Sequence, residues 1–436
     1  MRFWFALLLL ALFLRLGAAV YWQEKICAKN SVGVTPFFFG DSETYWELGR
    51  KIAEGKPYEF SEFRWQMFRT PGYPVILAPL FAMYGENPPV YAARFLGAIL
   101  GTLTVAAVGW LSFLLFHNRD AARLAAFIVA CDPCQILTSI LVLSEAPFCL
   151  LMVLQIAFWI KGRENVAMRS VCLHFTLCGT LYAAAVYCRP SWLYFVPFAF
   201  LFEIVGLLLF RKRWKIGLPR LLGTTMLVLV VFTLLMLPWW HRNYEISGRF
   251  VTTSLQMGPS LYDGLGPQAD GSSRMDFVDR FREEEQTNPS GDPNKDIYEY
   301  RVDNRMKQAS IQWAKQNPGR VIELAGIKFV RFWNFWPNEP SFSSLPVRVL
   351  IFVTYVPVLV CAIGGIFTTW KRDFSFWLCW IPAVYFTALH LIFVSSLRYR
   401  IPAMLLLTVL ATGFLLCRKN RSVIASRDAE TQRIEK

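Results

Sequence analysis

Asp41 follows closely on the first long apolar run, in Phe39-Gly-Asp-Ser-Glu-Thr-Tyr45, and two arginines, Arg64 and Arg69, stand a short way along the same polar connection. A carboxylate there can take a proton from a hydroxyl nucleophile. Cations beside it can hold negative charge that builds on a departing phosphate. The plain alternative for Asp41 is a helix N-cap, a position that Asp fills routinely. Further on, Glu145 opens an apolar run, where an acid is costly unless it is paired or functional. Glu43 is its substitute as a second acid. Arg189 precedes a Pro at a helix end, where snorkelling and phosphate binding are equally good readings. Arg398 and Arg400 run against the charge bias of the rest of the chain, which favours an anionic ligand.

The elements that must position these groups are membrane spans. Of 436 residues, 55% are hydrophobic and 17% charged, against about a quarter charged in a soluble domain. Apolar blocks of membrane-spanning length occur at roughly 3–20, 92–116, 122–142, 145–160, 170–188, 191–210, 221–240, 347–369, 374–394 and 401–417. About ten crossings result, with 122–160 open between two short helices and one broken element. The net charge of +14 raises a nucleic-acid partner, but its placement argues against one. Short basic connections recur at alternate ends of the spans: His117–Arg123, Lys161–Arg163, Arg211–Lys215, Lys371–Arg372 and Arg418–Arg421. Such loops stay in the cytoplasm, so with Arg2 they put both termini inside. The first segment is expected to be a retained helix rather than a cleaved signal, with Arg15 snorkelling to the outer interface.

Four units follow: a transmembrane module at 1–240, a small extracytoplasmic subdomain at 241–346, further transmembrane helices at 347–418 and a basic cytoplasmic tail at 419–436. The first outer loop, 21–91, reads as two interfacial helices. One runs from Asp41 to about Glu54, and one opens at Thr70-Pro-Gly-Tyr-Pro74 and ends near Gly85. In the second loop the stretch 274–320 is charged and helical, and 320–336 is amphipathic. His241 and Arg242 read as interfacial anchors, and Asp263 and Asp270 either bind an acceptor or serve Gly-rich turns. Cys131 and Cys134 form a C-x-x-C read as two buried thiols or a local disulfide. The four histidines have no metal-ligand spacing, so neither metal nor cofactor is expected. The sequon Asn420-Arg-Ser422 falls in the tail and carries no meaning there.

Asp41-Ser-Glu-Thr-Tyr45 after the first helix, followed by Arg69-Thr-Pro-Gly-Tyr-Pro74, resembles the polytopic GT-C glycosyltransferases, in particular the protein O-mannosyltransferase and lipid A aminoarabinose transferase group. Leu143-Ser-Glu145, Arg189-Pro-Ser191, Pro238-Trp-Trp-His-Arg-Asn243 and Arg398-Tyr-Arg-Ile-Pro402 extend the resemblance along most of the chain. It implies an all-α GT-C membrane fold and an inverting, metal-independent hexosyl or pentosyl transfer. The donor is a polyprenyl-phosphate sugar and the acceptor a hydroxyl on a protein, lipid or glycan. It places Asp41 as base, Arg69 on the lipid phosphate and Tyr45 in the same cavity, in a bacterial plasma membrane. Ser42 stands where the aminoarabinose branch has a second acid, and Phe68 where it has Glu, so the likeness stops short of that branch's sugar and acceptor. A lipid-linked-sugar transporter or flippase and a non-catalytic polyprenyl-phosphate binder are the competing readings. Absence of a clear internal repeat weighs against a transporter.

Overall fold

The computed structural model describes residues 2–29, 37, 40–210, 217–292, 295–337 and 344–434, with the side chains of 26–29 and 417–434 excepted. The basic connection Arg211–Lys215 and the side chains of Arg418–Arg421 therefore lie outside the described residues. Among the described residues all named elements are helices, as a chain whose backbone must satisfy its own hydrogen bonds in hydrocarbon requires. Eight of them are long and apolar enough to cross a membrane.

Helix α1 (Arg2–Lys29) runs nine residues past the expected end of its apolar block and lies antiparallel to the later span α4 (Val90–Phe116). Trp4 sits against Gly109, Arg15 against Gly101, and Arg94 Nε donates to Gln23 Oε1 at 2.7 Å. Between them in sequence come α2 (Gly40–Ala53) and α3 (Gly72–Tyr84), the two helices of the first loop. They end at Gly55 and Gly85, both at positive φ, where a side chain would be strained.

The stretch that the sequence leaves open resolves as a broken span. Helix α5 (Arg119–Cys131) and α6 (Pro133–Ile140) meet at a 60° bend. Asp132 caps α6 by accepting from the Cys134 and Gln135 amides, and Pro133 cannot continue α5. The break leaves carbonyls at the end of α5 without helical partners. Arg15 meets that need: it is 1% exposed and donates to the Val129 and Ala130 carbonyls at 3.2 Å. The snorkelling expected of Arg15 is therefore corrected. Cys131 and Cys134 are free thiols.

Then follow α7 (Glu145–Glu164), α8 (Met168–Cys188), α9 (Phe195–Phe210) and α10 (Leu218–Ser247). The last overshoots its apolar core and carries His241 and Arg242, which the sequence assigns to the second loop. That loop folds as α11 (Met257–Gly264), α12 (Phe277–Thr287), α13 (Tyr298–Gln316) and α14 (Pro318–Trp333). The chain closes with α15 (Leu345–Thr369), α16 (Phe374–Trp377), α17 (Ile381–Ile392) and α18 (Leu397–Ile434). The expected span 374–394 is thus another broken element. Helix α17 alone is about 18 Å long, short of a bilayer core of about 30 Å. The irregular residues 378–380 between α16 and α17 are buried, as are the helical residues on either side, which is the condition for non-helical chain at membrane depth.

Contacts between helix ends sort the connections onto two faces. Arg163 pairs with Asp373, and Arg220 donates to the Asn165 carbonyl, so the α7–α8 connection, the start of α10 and the α15–α16 connection share one face. Both long loops, the start of α7, the end of α8 and the start of α18 share the other. With α5–α6 counted as one bent span, nine elements among the described residues are long and apolar enough to cross, and the shorter α16–α17 returns the chain between the same two faces.

The second loop grips the first. Gln66 and Met67 donate their amides to the Glu299 carboxylate, at 2.8 and 3.0 Å, and Leu255 donates to the Met67 carbonyl at 2.8 Å. Arg242 reaches the Tyr58 and Gln66 carbonyls at 3.2 Å, which makes it a brace between the loops.

Candidate functional site

Asp41 lies in the first turn of α2, yet its carboxylate is turned to two guanidiniums. Oδ1 is 2.5 Å from Arg69 Nη2, and Oδ2 is 3.3 Å from Arg398 Nη2. Arg69, and less strongly Arg398, hold this carboxyl well below the usual carboxylate range, against the upward push of burial. Arg398 spans two acids, because its Nε also pairs with Glu145. Glu145 is wholly buried and meets Arg189 Nη1 at 2.9 Å. Two carboxylates and three arginines drawn from five segments thus form one cluster at the loop face.

Local structure explains the meeting. Gly72 opens α3 hard against the end of α8: a Cβ there would lie 2.5 Å from the Tyr187 carbonyl carbon and 2.6 Å from the Cys188 amide nitrogen. The Pro-Gly pair after Arg69 therefore packs the start of α3 against the end of α8, where Arg189 follows one residue later. Aromatic faces fix the planes of the guanidiniums. Arg69 lies over Tyr45 at 5.1 Å and Phe68 at 4.9 Å, and Arg189 and Arg398 lie over Tyr399 at 5.5 and 5.6 Å. Tyr399 in turn stacks on His390 at 4.4 Å. Tyr45 is buried, with its hydroxyl 3.5 Å from Ser144 Oγ.

Three residues singled out from sequence are not brought into the cluster. Arg64 occupies the tip of a tight turn at φ 53°, between Phe60 and Trp65, which pair antiparallel. Its side chain is 78% exposed and pairs with Glu59, at 3.5 Å, rather than with the cluster. Glu43 is exposed, since two residues along a helix turn about 200° away from Asp41. The same rotation separates Arg400 from Arg398. Arg400 is buried under α14, donating to the Phe332 carbonyl at 3.1 Å and to that of Asn334, with its guanidinium over Tyr355. Asp263 and Asp270 serve local structure: Asp263 accepts from Ser273 and the Arg274 amide, and Asp270 from Ser272. His241 is exposed and lies 3.2 Å from Glu245.

Other contributors carry no motif. Gln256, from the second loop, accepts from Arg69 Nη1 at 2.9 Å, and Tyr58 donates to the Arg69 carbonyl at 3.1 Å. Tyr399 was detectable, standing between two arginines already singled out; Gln256 was not, being one polar residue in a connection without pattern. Beyond Asp41 and Arg69 opens a cavity of about 310 Å³, walled by the Phe60–Phe68 turn on one side and by α11–α13 on the other.

The described residues form an all-α membrane protein whose fold is similar to that of the GT-C glycosyltransferases. The oligosaccharyltransferase AglB from Archaeoglobus fulgidus, solved in complex with an inhibitory peptide and a dolichol-phosphate, is similar over 98% of this chain at TM-score 0.60 and 14% identity. The same archaeal enzyme tethered to an acceptor peptide is similar over 94% of the chain, also at TM-score 0.60 and 14% identity. The chain spans 52% and 49% of those two structures, about half their length. ArnT from Cupriavidus metallidurans bound to undecaprenyl phosphate gives TM-score 0.42 at 16% identity, over 88% of this chain and 74% of that one. Residues 65–247 match the family model described as dolichyl-phosphate-mannose-protein mannosyltransferase, in line with the resemblance carried by the sequence motifs. A search of curated proteins finds no match.

Proposed function

We propose that the protein transfers a sugar from a polyprenyl-phosphate donor to a hydroxyl acceptor at the loop face, which the charge asymmetry of the connections makes extracytoplasmic. One observation carries the reading: the cluster holds three guanidiniums against two carboxylates, an excess of one positive charge, where the ends of three spans meet the loops. A sugar joined to a lipid through a phosphodiester brings one negative charge. Its tail stays in the bilayer while the phosphate reaches Arg69, Arg189 and Arg398.

Asp41 is a weak base while two arginines hold it. Once a phosphate accepts their hydrogen bonds, Asp41 is free to take the acceptor's proton. The acceptor oxygen then bonds to the anomeric carbon from the side opposite the phosphate, with inversion. The bond from that carbon to the phosphate oxygen breaks, and the lipid phosphate leaves with the electron pair against the arginines. The acceptor peptide bound by the archaeal relative makes a polypeptide the first acceptor to test, and the matched family makes mannose the first sugar.

The test compares wild type and Asp41→Asn in reconstituted vesicles, following release of polyprenyl phosphate and sugar-bearing acceptor by mass spectrometry. Transfer is expected to fall about 10²- to 10⁴-fold, the size of a lost general base, with lipid-phosphate binding retained. Wild-type rates in the variant overturn the role of Asp41. Lipid-linked sugars and surface glycans that stay unchanged in cells lacking the gene overturn the transfer itself.

A further inference from the structure

The cavity beyond Asp41 and Arg69 differs in chemistry from the cluster beside it. Phe60, Trp65 and Phe68 form one wall, and Met275, Val302 and Met306 much of the other. The walls are built rather than loose. Trp65, Val302 and Met306 are nearly inaccessible and share one apolar cluster with Phe281, and Arg282 lies 5.1 Å from the Trp65 ring. Asp41, Arg69, Gln256, Asp279, Arg282 and Asp303 also border the space, so whatever fills it lies next to the proposed base, although most of the surface it would touch is carbon.

Position, size and polarity narrow the occupant. Every wall residue comes from the two loops and none from a membrane span, so a lipid tail would have to leave hydrocarbon to enter. A volume of about 310 Å³ is about twice that of a cavity that holds benzene. It suits one large side chain and is far too small for a polyprenyl chain. A fully hydroxylated sugar ring would set most of its hydroxyls against carbon, leaving them without partners.

Resting on the transfer reading, we infer that this cavity is an acceptor-selecting pocket that takes one large apolar side chain of a polypeptide, next to the residue whose hydroxyl is modified. Met275 and Met306 let it accept aliphatic and aromatic shapes alike. Because the two walls belong to different loops, a bound acceptor also holds those loops together over Asp41.

The experiment uses the full chain in lipid nanodiscs with a polyprenyl-phosphate hexose and serine peptides that differ only in the neighbouring residue, Gly, Leu, Phe or Asp. Burial of a large apolar side chain sets the expected wild-type preference in kcat/KM for Phe or Leu over Gly at about 10- to 100-fold. Met275→Trp fills the pocket from its exposed rim, and that ratio is expected to fall to within about twofold of one. A wild-type ratio near one, or a ratio that Met275→Trp leaves unchanged, overturns the pocket while transfer stands. Binding of the same peptides, read by tryptophan fluorescence, separates the two readings. No transfer with a Phe-over-Gly binding preference that Met275→Trp abolishes keeps the pocket and sinks the transferase. No transfer with no binding preference sinks both.

Discussion

Glu145→Gln tests the charge arithmetic of the site most directly. Glu145 is 0% exposed and is the counter-ion of both Arg189 and Arg398. The substitution keeps the shape and removes one of the two anions, raising the excess positive charge from one to two. Unit charges about 4 Å apart attract by about 4 kcal/mol at an effective dielectric of 20. The amide oxygen still accepts one hydrogen bond, so the expected loss of stability is about 3–5 kcal/mol, the usual result of stripping one partner from a buried pair. Unfolding of the purified protein in nanodiscs measures it.

Added polyprenyl phosphate distinguishes a binding cluster from a merely structural one. In Glu145→Gln the second excess charge is expected to tighten lipid-phosphate binding on the order of tenfold, one further charge at 6–7 Å being worth more than that before screening. Saturating lipid phosphate then returns part of the lost stability, because a ligand that binds only the folded state adds RT ln(1 + [L]/Kd). Turnover falls all the same, since Arg398 loses one of the two acids that position it. A second change, Arg189→Gln, restores balance and is expected to couple favourably with the first. Stability within 0.5 kcal/mol of wild type, with unchanged lipid-phosphate affinity, refutes the counter-ion argument.

Arg69→Ala is expected to weaken lipid-phosphate binding at least about tenfold, as loss of a charge-assisted bond implies, whereas Arg64→Ala leaves binding and turnover within about twofold; paired binding curves decide. Gly72→Ala forces α3 away from the end of α8, so a loss of about 1–3 kcal/mol in unfolding and a larger drop in turnover are expected. The grip between the loops is expected to depend on pH. Burial raises Glu299 from 4.5 to about 7 and Asp303 from 3.8 to about 6. A carboxyl with a raised folded pKa favours the folded form while protonated, fully below its unfolded value, and loses that contribution as pH rises through the folded one. Exchange of the Gln66 and Met67 amides, corrected for intrinsic rate, is therefore expected to be slower at pH 5.5 than at pH 8. Equal protection at the two values counts against it.

What the sequence made legible follows the reach of each physical signal. Apolar blocks mark spans because hydrocarbon thickness sets a length, and the cap and Gly signals around Asp41, Gly55 and Gly85 are local. Arg15 was misread because its partners exist only once Asp132-Pro133 has broken another helix. Arg398 and Arg400, like Asp41 and Glu43, are alike in composition and sidedness. Helical rotation separates the members of each pair, so only one of each reaches the cluster. Gln256 and the cavity had no signal at all, since both arise where residues some 190 apart come together.

The way the arginines are held bears on how the proposed reaction gains rate. A carboxylate fixes a guanidinium at the cost of its charge, whereas an aromatic face fixes it and leaves the charge available. Tyr45 and Phe68 under Arg69, and Tyr399 shared by Arg189 and Arg398, orient three cations that only two acids balance. On the proposed reading the donor phosphate begins with one negative charge and approaches two as the bond to the sugar breaks. Ground-state binding uses the single excess charge, and the second negative charge develops only in the transition state. Interactions that strengthen between those two points raise kcat rather than lower KM. Replacing Tyr399 by Leu keeps the three guanidiniums but frees their planes. Its cost is therefore expected mainly in kcat, with donor KM changed less, and the reverse split would mean that the ring serves binding alone.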